Sequence, residues 1–472
     1  MDDRARGRPG ARAVPILGCD GFLLALDHLM RCRGQGTHVS QSVLELDRAP
    51  EPGALVPAWK SFVDRHPIVV ARLGRSLRSG LPVWRVPGPA KAIAPEPVRW
   101  WHEPGARGPK AVKSRPAESL ESLCLQLRDH RRATRTGAPF NLRLDVLARR
   151  DQDAALVVSW SHLLVDGKGV ELIVTELGRH DAQPGASDPE AGAVPAVRPT
   201  SEASSIREKF ARSRAFVDHF SKLATTKFQS LGGPRPVAGP CYCRVITLDR
   251  STTAMVNARA QEMASQLIHT PFFLAAAAIA HARVFEARGL GRGPQIITLP
   301  VQTRPKGAGG ALFQNHVAIL FFRLQAEDLC DVQSATHALL RQFTTMMRDR
   351  LDTSFSMMLD LMRWIPPRFY SMFLRAQMRG EITSFFHSYT GPFAPGLELF
   401  FGARVTAAWH IPVISTPPGT GLFVGERHGR LSLSMSWRQG AISEQEQEVL
   451  MHSFIEALVG EAPQCLTINL RA

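Results

Sequence analysis

One stretch limits what this chain can fold into more than any other: Ala155 to Gly169, ALVVSWSHLLVDGKG. Ala154 to Trp160 is short, apolar and β-branched, as a buried strand is, and Val170 to Leu177 alternates as an amphipathic helix does. A helix following so closely on a strand requires a tight connection. Asp166 and Gly167 supply it, the Asp as a local side-chain acceptor and the Gly as a residue free to take positive φ. His162 stands at the strand exit. With an ordinary pKa of about 6.5, its imidazole is able to take a proton from an alcohol, amine or thiol near neutral pH, which makes it a candidate general base. A lone histidine is more often a satisfied core or loop residue, so the surrounding pattern has to decide.

Hydrophobic residues make up 44% of the 472, enough for two sizeable cores, and a two-domain chain is expected. Residues 1–15 are rich in Arg, Gly, Asp and Ala without an apolar segment, and read as a disordered tail instead of a secretory signal. Residues 181–205, DAQPGASDPEAGAVPAVRPTSEASS, lose all apolar periodicity and mark a flexible linker between an N-terminal unit, 16–180, and a C-terminal unit, 206–472. The most apolar run, PFFLAAAAIA, is far short of the ~20 residues a membrane span needs and reads as a buried helix.

Seven cysteines, an odd number scattered along a chain with no export signal, read as reduced thiols of a cytosolic protein. Cys241 and Cys243 have one residue between them and no second ligand cluster, so they read as neighbours on one face of a strand. With no Gly-rich phosphate loop, dinucleotide fingerprint or His-Glu-x-x-His helix, neither a resident cofactor nor a metal is expected. A net charge of +15 invites a nucleic-acid reading, but the Arg residues are dispersed and no recognised nucleic-acid module is visible, so that partner is set aside. Such a surface suits the phosphates of a small molecule, an acidic protein or anionic lipid, and high Arg usage alone explains it equally well. Leu339 to Met378 holds more than half of the methionines among Phe and Arg residues. It reads as a helical core, with an adaptable apolar pocket or a membrane-facing rim as the alternative.

His-x-x-x-Asp-Gly directly after an apolar strand resembles the active-site motif of the CoA-dependent acyltransferase superfamily. That superfamily includes chloramphenicol acetyltransferase, peptide-synthetase condensation domains and bacterial wax ester synthase/diacylglycerol acyltransferases. Further segments resemble its members in the same chain order: CDGFLLALDHLM with THVSQSVLEL (Cys19 to Leu46), FVDRHPIVVARL (Phe62 to Leu73) and PFNLRLDVLARR (Pro139 to Arg150). In the second half they are LPVQTRPKG (Leu299 to Gly307), FQNHVAILFFRL (Phe313 to Leu324), SFFHSYTGPF (Ser384 to Phe393) and the hairpin LFVGERHGRLSLSMSW. The wax synthase layout is the nearest. The chain departs from it at Ser161, where many relatives carry a first histidine, and at Thr270-Pro271, where wax synthases carry Asn-Asp.

The resemblance implies an α/β fold of two chloramphenicol acetyltransferase-like subdomains, each a mixed sheet flanked by helices, with a tunnel at their interface. It implies that His162 is the catalytic base and that the Gly167 N–H helps to stabilise an oxyanion. Asp166 is then structural, paired with Arg143 from a neighbouring strand, while Asn315, Ser388 and Thr390 contribute to substrate binding from the second subdomain. The partners implied are an acyl-CoA or acyl-carrier thioester, with acyl-CoA as co-substrate, and an alcohol or amine acceptor, with peripheral membrane contact left open. A carrier-dependent condensation enzyme and a non-catalytic binding protein remain as alternatives to an acyl-CoA O-acyltransferase.

Overall fold

The computed structural model describes residues 12–88, 98–106, 112–128, 141–182, 205–228, 230–233, 238–265, 268–304, 312–377 and 380–460. The first half runs β1 (Arg12–Pro15), α1 (Gly18–Cys32), β2 (Val39–Leu46), α2 (Pro52–Arg65), β3 (Arg72–Arg75), β4 (Pro82–Val86), β5 (Arg99–His102), β6 (Ser114–Pro116), α3 (Leu120–Arg128), β7 (Leu142–Ala148), β8 (Ala154–Ser161) and α4 (Gly167–Ala182). The second runs α5 (Ile206–Ala224), β9 (Cys241–Thr247), α6 (Arg250–Met263), α7 (Thr270–Ala287), β10 (Gln295–Gln302), β11 (Val317–Leu324), α8 (Val332–Arg348), α9 (Leu351–Met362), α10 (Pro367–Gln377), β12 (Phe386–Pro392), β13 (Leu399–Phe400), β14 (Ala403–Ile411), β15 (Thr420–Arg427), β16 (Arg430–Arg438) and α11 (Glu444–Val459).

Two mixed sheets organise these elements, one of seven strands in the order β13-β14-β2-β8-β7-β5-β6 and one of six in the order β11-β10-β12-β15-β16-β9. The continuous apolar run of β8 follows from its place inside the first sheet, where both faces are covered. Leu156, Val158 and Trp160 pack with Val170, Ile173 and Val174 of α4, and on the other face Ala155 and Val157 pack with Leu123 and Leu127 of α3. The alanine-rich segment read as a buried helix is α7, which is buried nearly all round in the core of the second sheet.

Chain order and spatial order differ at two places. Arg12–Pro15, read as the end of a tail, form an edge strand that pairs with β4 from Val86 to Val83. More consequentially, β13 and β14 belong to the second half of the chain but extend the first sheet, β14 lying antiparallel to β2 with His410 opposite Ser42. Residues 1–11 and 183–204, which include most of the expected linker, lie outside the described residues.

Candidate active site

Strand β8 ends at Ser161, α4 begins at Gly167, and the five residues between them are clasped by a segment of the second half. Gln314 donates its N–H to the Leu164 carbonyl at 2.6 Å, and Val165 and Gln314 form a parallel bridge. Gly169 makes the approach possible, because a Cβ there would lie 2.4 Å from the Leu312 carbonyl oxygen. Asp166 is the rivet. It accepts from the Gly169 N–H at 2.8 Å, the His316 N–H at 3.0 Å and the Arg304 guanidinium at 2.8 Å.

The expected partner of Asp166 was Arg143, and the structure corrects this. Arg143 lies on the face of the first sheet covered by α3, opposite the face on which α4 packs, and there it donates to Asp145 at 3.0 Å. Asp145 is further satisfied by Arg99 at 2.7 and 3.0 Å and by the Trp101 indole at 2.8 Å. The arginine that reaches Asp166 is Arg304, two residues past the end of β10.

His162 is set by two neighbours, His38 and Asn315. Its N–H donates to the His38 carbonyl at 2.9 Å, and the two imidazoles stack with centroids 5.0 Å apart. Its Nδ1 lies 3.0 Å from Asn315 Oδ1. The orientation of that amide is fixed, since Asn315 Nδ2 faces two groups that accept, the His162 carbonyl and Asp20 Oδ1, each at 2.8 Å. Oδ1 therefore faces the ring, Nδ1 carries the proton, and Nε2 keeps its lone pair. Burial pushes the His162 pKa below its ordinary value, offset in part by the charge of Asp166. The imidazole is thereby held neutral.

Asp20 closes this chain of contacts. Buried at the start of α1, it accepts from the Leu17 and Asn315 N–H groups at 2.8 and 3.0 Å as well as from the Asn315 amide. Burial raises its pKa to about 7 against the lowering effect of those bonds. Neither this role of Asp20 nor that of Arg304 stands out in the sequence, although both residues fall inside segments that carry the family resemblance.

A cavity of about 550 Å³ opens over His162 and draws its walls from both halves. Phe22, Leu23, Leu26, Val317, Ile319 and Phe423 give it an apolar lining. Gly167 borders it as the first residue of α4, where a backbone N–H has no helical partner. Ser388 and Thr390 stand in the wall formed by β12, while Asn315 reaches both the cavity and His162 itself. Arg143 does not border the cavity, nor does Ser161. A second polar pair does: His410 lies 3.4 Å from Glu171, with its other nitrogen 2.7 Å from the Ser42 hydroxyl. Among the described residues no group of three or more His, Cys, Asp or Glu is placed to hold a metal ion, and no helix is long and apolar enough to cross a membrane.

By sequence, the chain matches no family model and no curated protein. By structure, it is similar to the TRI3 trichothecene 15-O-acetyltransferase from Fusarium sporotrichioides over 97% of this chain and 96% of that one, with a TM-score of 0.70 at 13% identity. It is similar to the first condensation domain of the calcium-dependent antibiotic synthetase over 97% and 100% of the two chains, with a TM-score of 0.67 at 16% identity. The starter condensation domain of rhizomide synthetase RzmA, a mutant in complex with C8-CoA, covers 95% of this chain and 94% of its own, with a TM-score of 0.59 at 14% identity. One acetyltransferase and two condensation domains thus match this chain nearly end to end, and it shares their two-lobed α/β fold.

Proposed function

We propose that this protein transfers an acyl group from the thioester of an acyl-CoA to an alcohol, with His162 as general base and no acyl-enzyme. The observation that carries the reading is the fixed tautomer of His162 beside a cavity walled by both halves. In the proposed step Nε2 takes the acceptor's hydroxyl proton as its oxygen bonds to the thioester carbonyl carbon. The Gly167 N–H steadies the negative charge that gathers on the carbonyl oxygen. The carbon–sulfur bond then breaks, and the imidazolium returns the proton to the departing thiolate. Asp166 takes no part in proton transfer and holds the loop through Arg304 and His316. Ser388 and Thr390 offer hydroxyls to a bound substrate, and the apolar walls favour a long acyl chain or a wax-forming or acylglycerol acceptor.

Thiol release from acyl-CoAs of graded chain length, measured with and without alcohols, tests the activity. His162→Ala should lower turnover roughly 100- to 10,000-fold with little change in acyl-CoA binding, while Ser161→Ala keeps most of the activity. Trapping of an acylated serine that Ser161→Ala abolishes would overturn the direct mechanism. Transfer from a carrier-bound thioester with none from acyl-CoA would assign the chain to the condensation class.

A further inference from the structure

His38, just before β2, and His410, on β14, border the large cavity together with His162. Their hydrogen bonds set them apart. Both ring nitrogens of His410 are engaged, one by the Ser42 hydroxyl and the other by Glu171, so that imidazole is spoken for. His38 is only 7% exposed, yet among the described residues no group bonds to its ring, and Nδ1 is buried without a partner. A neutral imidazole carries one N–H and one lone pair, and buried groups of this kind are rarely left unmatched.

The ring is nevertheless held firmly. Asp27 Oδ1 accepts from the His38 N–H at 2.8 Å, while the His38 carbonyl accepts from the His162 N–H. The two imidazoles lie 21° from parallel with centroids 5.0 Å apart. Burial, with His162 and Arg438 nearby, keeps the His38 pKa well below its ordinary value. The ring is therefore neutral, able to donate or to accept but without a charge to draw in a carboxylate. Ser40 and Trp160, paired across β2 and β8, border the cavity beside it. The Trp160 indole N–H is buried without an acceptor, and Ser40 Oγ accepts from the Val413 N–H at 3.4 Å, which leaves its own proton to give. Next to the base, in a lining otherwise largely apolar, stands a patch with hydrogen-bonding capacity the protein does not use.

We propose that His38 binds a second, uncharged oxygen of the acceptor, which makes the acceptor a diol or a hydroxy ester instead of a plain long-chain alcohol. This rests on the acyl-transfer reading above and names the class of its acceptor. His162 takes the reacting hydroxyl. A second oxygen one or two carbons away then meets the imidazole stacked on His162, at a separation that the spacing of the rings sets. A ligand oxygen placed there gives His38 the partner that the fold withholds.

Calorimetric titration of the full chain with 1-octanol, 1,2-octanediol and 1,3-octanediol tests the proposal without requiring turnover. Wild type should bind at least one diol roughly tenfold more tightly than 1-octanol, the worth of one good hydrogen bond in a buried site. His38→Phe keeps a ring against His162 but removes both nitrogens, and should cut that advantage to within about twofold. His38→Gln returns an amide that donates and accepts, and should restore part of it. Wild type that binds the three alcohols equally, or binds none, would overturn the assignment, as would an unchanged advantage in either folded variant. So would 2-hydroxyoctanoate binding more tightly than the diols, which would mark an anion site. If the diol advantage depends on His38 but no acyl donor is turned over with any alcohol, the acyl-transfer reading fails and this contact stands. If 1-octanol and the diols are acylated and bound equally well, the contact fails and the reading stands.

Discussion

Asn315 leaves His162 with one nitrogen whose lone pair is defined, because its amide is locked by Asp20 and the His162 carbonyl before it meets the ring. Replacing it with Ala frees the ring to adopt the other tautomer. Turnover should fall roughly 10- to 100-fold, the usual effect of losing an orienting partner, with KM for acyl-CoA little changed. Steady-state kinetics of Asn315→Ala checks this, and an unchanged turnover would remove Asn315 from the machinery. Since burial lowers the His162 pKa, the imidazole stays neutral to more acidic pH than a free histidine. The acid limb of kcat/KM against pH should therefore lie below about 6.5. Sequence made His162 and Asp166 legible, because a strand, a turn and a helix fix their spacing. It did not reveal the partner of Asp166. Arg143 and Arg304 are equally arginines in a string of letters, and what separates them is the face of β7 that Arg143 takes and the approach of the segment after β10 to the loop.

At the scale of elements, the loop between β8 and α4 is held less by its own turn than by the clasp with residues 312–316. Asp166→Ala removes the carboxylate that meets the buried Arg304 and accepts from the Gly169 and His316 N–H groups, and breaking a buried ion pair in this way typically costs about 3 to 5 kcal/mol. Denaturant unfolding should show that loss, and activity should fall with it through displacement of His162. Gly169→Ala should act on the same clasp, because the added methyl meets a main-chain oxygen that cannot turn aside. Among the strands, β8 was readable from its apolar run, and β9 holds Cys241 and Cys243, read as neighbours on one face of a strand. The helix that begins at Ile206 ends at Ala224. The Met-rich region divides into α8, α9 and α10, with Pro367 opening the last. Leu339, Met346, Phe355 and Met357 enter the core, while Trp364, Phe369, Met372 and Phe373 stay exposed, a division that composition alone does not make.

For the whole molecule, Asp20 ties global stability to pH. Its raised pKa means that the folded chain holds a proton the unfolded chain releases, so stability is greatest below the ordinary carboxylate range and is lost as pH rises to about 7. Relative to Asp20→Asn, wild type should lose up to about 1.4 kcal/mol per pH unit across that window, measurable by unfolding at several pH values. Mixed sheets flanked by helices are what the family resemblance implied. The membership of β14 was not, since a short strand near residue 405 pairs with one near residue 43 through register that no local pattern encodes. That exchange has a consequence for synthesis on the ribosome. Until residue 411 has emerged, β2 presents a bare edge along Gln41 to Leu46, so the first sheet cannot be finished by the part of the chain made first. A fragment ending at Ala182 should therefore associate or precipitate when expressed alone. Supplying residues 205–472 in the same cell should rescue it, which gel filtration of the two coexpressed pieces would reveal.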